Sequence, residues 1–234
     1  YHYQGSFVAK EYFGRPHGKE YSSIFRNNGD GTFENLRDSL NFKTTLIAMG
    51  SNFGDLDNDG WLDFYIGTGR PDYRSLFPNR MFRNDGGKSF QDVTTSGGFG
   101  HLQKGHGIAF GDIDNDGDQD IYAVMGGAFE GDVFQNALFK NPGHGNNWIT
   151  LRLQGIQTNR DAIGARIKIV VSTKDGNQRE IHSTVTTGGS FGSSTLQQEI
   201  GLGNATQIER VEIYWPVSNT CLLYTSPSPR DLAQ

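Results

Sequence analysis

The chain has 234 residues and a formal net charge of −5; 35% of it is apolar, 12% aromatic, and 32 residues are glycine. That length suffices for one or two domains with cores, while the acidic balance excludes a general binder of nucleic acid or anionic membrane, which needs a basic face. No apolar run approaches the ~20 residues of a membrane-spanning helix, and the single cysteine, Cys221, cannot found an intrachain disulfide framework.

The chain starts mid-pattern at Tyr1, without an initiator methionine or signal peptide, and we expect it to be the truncated part of a longer protein. Short aromatic and β-branched runs separated by Gly, Asn and Asp predict an all-β chain with many turns. The first clear segment, SIFRNNGDGTF at 23–33, recurs without gaps as RMFRNDGGKSF at 80–90. Phe25 and Phe82 are thus 57 positions apart, and the next step lands on Phe139 in ALFKNPG. The segments MFRN, LFKN and SFQDVT read as strands, the first two ending in Asn-centred turns.

The acidic text obeys the same shift. GDLDNDGWLDFYIG at 54–67 returns as GDIDNDGDQDIYAVMG at 111–126, and these two stretches hold nine of the 26 acidic residues. Concentrated acidity points to a cation site more than to solubility. With Asp55 as position 1, Asp57 and Asp59 take positions 3 and 5, and Gly60 allows the sharp turn. Trp61 offers its backbone carbonyl at position 7, and Asp63 stands at 9. The second loop supplies Asp112, Asp114, Asp116, the carbonyl of Asp118, and Asp120. Six or seven hard oxygen donors suit Ca²⁺, whereas Mg²⁺ keeps more of its waters, so two Ca²⁺ sites are expected. An EF-hand would need a glutamate at position 12 and flanking helices; Ile66 and Ala123 stand there, and FYIG and IYAVMG read as strands. The plain alternative is a surface turn, against which two copies of identical spacing argue. A structural ion is favoured over a catalytic or ligand-bridging one.

A repeat of this length means propeller blades or stacked units. About two and a half repeats of 57 residues fit into residues 1–145, too few to close a ring of roughly 4–8 blades. The F-G-D-x-D-x-D-G-x-x-D text, followed by a strand and N-x-x-F-R-N-[ND]-G, resembles the FG-GAP or VCBS repeats of integrin-type β-propellers, over about residues 22–141. The resemblance implies a loop that binds Ca²⁺ between the strands of a blade.

After the Pro-Gly-His-Gly linker at 142–145 the acidic loops stop. NNWITLRLQG and ARIKIVVS alternate as half-buried strands do. The turn at 174–177 leads into QREIHSTVTTG as a hairpin, and RVEIYWP reads as the final strand. The predicted unit, 146–217, is a small β-sandwich-like domain. The series NNWITLRLQG, TNRDAIGARI, GGSFGSS, GLGNAT and VEIYWP is similar to the ASPIC/UnbV domain, which follows VCBS-type repeats in cartilage-acidic-protein-like secreted proteins and in bacterial proteins. The tail at 218–234 breaks this pattern and looks like adaptor read-through; we expect it to be non-native and disordered, leaving Cys221 without a role.

Other signals are weaker. GGSFG at 188–192 matches a nucleophile elbow formally, but that motif needs a strand-to-helix turn followed by an acid and a histidine, and no histidine follows His182. Arg160, Asp161 and Arg166 could bind an anion or a sugar, although a salt-bridged turn is favoured. The histidines lack metal-ligand spacing, and His106 is expected in a blade turn. Trp61, Trp148 and Trp215 read as packing residues. Asn204-Ala-Thr206 is a formal glycosylation sequon. The leading expectation is therefore a Ca²⁺-stabilised, non-enzymatic extracellular or cell-envelope module for adhesion to a protein or glycan ligand. The alternative is a calcium-dependent enzyme acting on polysaccharide, or its accessory propeller, for which no acid/base pair stands outside the metal loops.

Overall fold

The computed structural model describes residues 5–69, 77–127, 130–131, 134–217 and 221–224. One helix, α1 (Gly5–Tyr12), precedes the strands. It departs from the all-β expectation because GSFVAKEY holds Ala, Lys and Glu, good helix formers, and lacks strand alternation. Phe7 anchors it, buried and stacked on Phe77 at 5.8 Å.

A hairpin of β1 (Phe25–Asn27) and β2 (Phe33–Asn35) comes next, then a four-stranded antiparallel meander. The meander runs β3 (Ala48–Gly54), β4 (Asp63–Thr68), β5 (Arg80–Asn84) and β6 (Phe90–Asp92). One repeat later stand β7 (Gly105–Gly111), β8 (Asp120–Met125) and β9 (Ala137–Phe139). Cross-strand register follows the period: Phe64 pairs with Phe82, and Ile121 with Phe139. Each meander is one blade, and among the described residues the blades form no closed ring, which makes the repeats a partial propeller.

The two blades share a buried core of Tyr65, Met81, Ile108, Phe110, Ile121, Ala123 and Met125. A second cluster joins Phe42, Ile66 and Phe82, with Phe64 stacked on Phe82 at 5.0 Å. Close approach of the blades requires Gly50, since a Cβ there would lie 1.7 Å from the carbonyl oxygen of His106. His106 itself lies in β7, not in a turn as expected.

The fourth strand of the second blade is diverted. One period after β6 falls β10 (Asn147–Leu151), which pairs with β13 (Gln198–Gly203) and not with β9. A four-stranded sheet, in the order β12-β11-β14-β15, completes the C-terminal unit. It consists of β11 (Arg166–Thr173), β12 (Gln178–Thr184), β14 (Ala205–Tyr214) and β15 (Cys221–Tyr224). The two sheets enclose one aliphatic core that includes Ile149, Ile167, Ile169, Val171, Ile181, Ile200, Val211 and Ile213. The predicted hairpin turn is present, with Thr173 N–H donating to Asn177 O and Gly176 at a φ of 74°.

Three further expectations need correction. RVEIYWP is not the final strand, and the tail is not disordered throughout: Cys221–Tyr224 pairs along Val211–Tyr214. The edge of β14 offers unpaired backbone groups, and CLLY is apolar enough to fill it. All four of its residues stay exposed. Such edge pairing is open to any β-prone segment, so it bears on order and not on origin; residues 218–220 and 225–234 lie outside the described residues. The turn at 159–163 is also not salt-bridged. Among the described residues it is held by the Asn159 side chain, which accepts from Ile163 N–H and donates to Ile163 O, while Arg166 lies over the Tyr214 ring.

Candidate metal centres

Each acidic loop bridges the first two strands of a blade, from Gly54 to Asp63 and from Gly111 to Asp120. The chain must turn back within eight residues, and it does so through left-handed residues at matching places. These are Asn58 (φ 54°) with Gly60 (φ 87°), and Asn115 (φ 60°) with Gly117 (φ 92°). Asparagine and glycine tolerate that region best.

Hydrogen bonds inside the loops repeat with the sequence period. Asp55 accepts from Asp59 N–H and Gly60 N–H, and Asp112 accepts from Asp116 N–H and Gly117 N–H. Asp63 takes Leu56 N–H on one oxygen and Asn84 N–H on the other; Asp120 does the same with Ile113 and Asn141. Position 3 carries an ion pair in both loops, Asp57 with Arg83 Nε at 2.5 Å and Asp114 with Lys140.

The structure brings together Asp55, Asp57 and Asp59, and separately Asp112, Asp114 and Asp116, each set with one oxygen per residue within 4.8 Å of the others. Either triad could hold a metal ion. Asp63 and Asp120 stand outside the triads, and both their oxygens serve backbone N–H groups, so they act as latches of the loop. The triads do not include the carbonyls of Trp61 and Asp118. Instead, the Trp61 ring covers Gly87, and Asp118 accepts a hydrogen bond from Asn58 Nδ2 at 2.7 Å.

The loops differ in surroundings. Asp55, Asp57 and Asn58 are buried, whereas Asp114, Asn115 and Asp116 are exposed. Burial, reinforced by the neighbouring carboxylates, pushes Asp55 up to about 7 and Asp63 up to about 8, and raises Asp59 as well. Asp57 presents a buried Oδ1 with no hydrogen-bond partner, beside an Oδ2 already paired with Arg83. A buried, unpaired carboxylate oxygen is costly, and a hard cation shared with Asp55 and Asp59 would satisfy it. The donor set is all oxygen, as Ca²⁺ and Mg²⁺ prefer.

The partners Arg83, Lys140, Asn84 and Asn141 escaped sequence reasoning. Their signal is the F-[RK]-N text, which reads as an ordinary strand ending. Its basic side chain reaches position 3, while the backbone N–H of its asparagine reaches position 9.

Residues 8–66 and 67–123 match the FG-GAP-like repeat family, and residues 155–232 match the ASPIC and UnbV family. The chain carries FG-GAP-like repeats followed by an ASPIC and UnbV domain. The two repeat matches end 57 residues apart, each just after its acidic loop, so the family frame and the internal period agree. A comparison with curated proteins returns no match. The ASPIC and UnbV match begins at 155, yet the folded unit also uses β10, and Asn146 and Trp148 from this preceding segment face the loops of the repeats.

GGSFG has a packing role. Ser190 and Ser51 exchange both backbone hydrogen bonds. A Cβ on Gly192 would lie 1.9 Å from Ile108 O. Among the described residues no helix follows Ser190, so the strand-to-helix turn of a nucleophile elbow is not formed. No helix among the described residues is long and apolar enough to cross a membrane.

Proposed function

We propose that this protein is a calcium-binding, non-enzymatic adhesion or ligand-binding module of the extracellular space or cell envelope. Ca²⁺ in the two acidic loops would stabilise the blades, and the partner would be a protein or a glycan. One observation carries the metal reading: the buried, unpartnered Oδ1 of Asp57 within an all-oxygen triad. The identical wiring of the second loop supports it.

The residues have distinct duties in this reading. Asp55, Asp57 and Asp59 would hold the first ion, and Asp112, Asp114 and Asp116 the second. Asp63 and Asp120 fix the loops through backbone N–H groups. Arg83 and Lys140 orient position 3 from outside the triad, as residues behind metal ligands commonly do. A bound cation would offset the repulsion among the carboxylates. Extracellular modules with dissociation constants of about 10⁻⁴–10⁻³ M are filled at extracellular calcium levels, which favours that placement. The test is a calcium titration followed by thermal unfolding. The melting temperature should rise with Ca²⁺, and Asp57→Ala with Asp114→Ala should remove the rise. An unchanged melting temperature would overturn the metal reading.

A further inference from the structure

A loop that turns the side chains of positions 1, 3 and 5 inward leaves backbone carbonyls on its outer face, and buried carbonyls need donors. In the first loop three consecutive carbonyls find them in the C-terminal unit. Asn146 Nδ2 donates to Asp57 O at 2.7 Å, Gly203 N–H to Asn58 O at 2.8 Å, and Arg179 Nη1 to Asp59 O at 2.6 Å. Contact is close enough to demand glycine at Gly201, where a Cβ would lie 2.2 Å from Asp55 Oδ2 and 2.3 Å from the carbonyl carbon of Asn58. In the second loop, Trp148 packs over Gly117 and Glu199 accepts from Asp112 N–H. Among the described residues, however, no hydrogen bond reaches the carbonyls of Asp114, Asn115 or Asp116.

We propose that the first loop is a metal centre completed by two parts of the chain. The FG-GAP-like repeat supplies the ligands, and the C-terminal unit fixes the backbone that carries them. The affinity of the first site therefore depends on Asn146 and on the close approach at Gly201, and that of the second site does not. The inference rests on the metal reading. Its physical basis is preorganisation: a loop already held in the binding geometry loses less freedom when the ion arrives. Arg179 is a poor probe, because its positive charge beside Asp59 opposes a cation while its hydrogen bond holds the loop. Asn146 is neutral and holds only a backbone carbonyl, so it separates the two effects.

The experiment uses the full chain and Ca²⁺ titration calorimetry. Asp114→Ala leaves the first loop as the only intact triad, and Asp57→Ala leaves the second. Adding Asn146→Ala to the first background should weaken Ca²⁺ binding by about three- to tenfold, the equivalent of one hydrogen bond. Adding it to the second should change nothing. Gly201→Ala should act in the same direction, with circular dichroism confirming that the variants fold. Binding in the first loop that ignores both substitutions overturns this inference and leaves the metal reading intact. Equal weakening in both loops also overturns it. No binding in either background overturns the metal reading itself.

Discussion

At the scale of single residues, Asp63 shows how a carboxylate in a metal-like motif can work for the backbone. It is fully buried, and its two oxygens receive N–H groups from the β3–β4 loop and from the end of β5. Asp63→Ala leaves both donors without a partner and should cost about 3 kcal/mol, measured by urea unfolding in EDTA so that no ion contributes. Asp63→Asn keeps the size and one acceptor and should cost less; equal losses would mean that a single retained acceptor does not hold the loop. The raised pKa values of Asp55 and Asp63 set a pH dependence. Unfolded, both lose their protons near 4; folded, they hold them up to about 7 and about 8. Between those limits the folded state binds more protons, so their contribution to stability falls as pH rises. In EDTA the melting temperature should therefore drop between about pH 4 and pH 8, less steeply in Asp55→Asn. Calcium should flatten the drop by favouring the ionised carboxylates. A slope in EDTA that Asp55→Asn leaves unaltered would show that other groups set it.

Elements translate the same text into different environments. Phe25 and Phe82 occupy equivalent repeat positions, yet Phe82 is 2% exposed among Phe42, Phe64 and Phe90, and Phe25 is 59% exposed. Phe82→Ala should destabilise by about 3–5 kcal/mol and Phe25→Ala by less than about 0.5 kcal/mol, read from denaturant midpoints. Comparable losses would mean that Phe25 is covered in solution. Sequence periodicity therefore locates a strand without telling how well it is covered. The blade strands were legible because their alternation, turns and spacing agree across the repeats, as were both acidic triads. Helix α1 was not, because eight residues of helical propensity sit where the repeat frame invites a strand. Nor was the diversion of β10, since NNWITL alternates equally well for a blade edge or for a sandwich. Asp63 and Asp120 carried the spacing of ligands, and only the N–H groups of Asn84 and Asn141, brought in from the next strand, reveal their other role. The carbonyl contacts of the first loop join residues about 89 to 145 positions apart, beyond the reach of any local pattern.

For the whole molecule, an ion held as proposed in the first loop would make ion binding and the joint between repeats and C-terminal unit parts of one equilibrium. Linkage requires reciprocity: if docking of the C-terminal unit favours the ion, the ion favours docking by the same factor. The residues that would report this are in the linker at 142–145, which runs between Asn141 and Asn146. Asn141 is tied to Leu56 O and Asn146 to Asp57 O, so both ends of the linker are pinned to the first acidic loop, and the Asn141 end is pinned also to Asp120 of the second. Proteolysis within the linker requires local release of those contacts, and its rate follows the population of the released form when reclosing is fast. Saturating Ca²⁺ should slow cleavage there, and Asp57→Ala should abolish the protection. Asp114→Ala also removes the Lys140 ion pair beside the linker, yet it should leave most of the Ca²⁺-dependent protection, because the carbonyls held by the C-terminal unit belong to the first loop. The two variants also separate a joint effect from general stabilisation: an ion that merely stabilises the blades would protect equally from either loop. Loss of protection in Asp114→Ala as complete as in Asp57→Ala would therefore place the coupling in the blades and not in the joint.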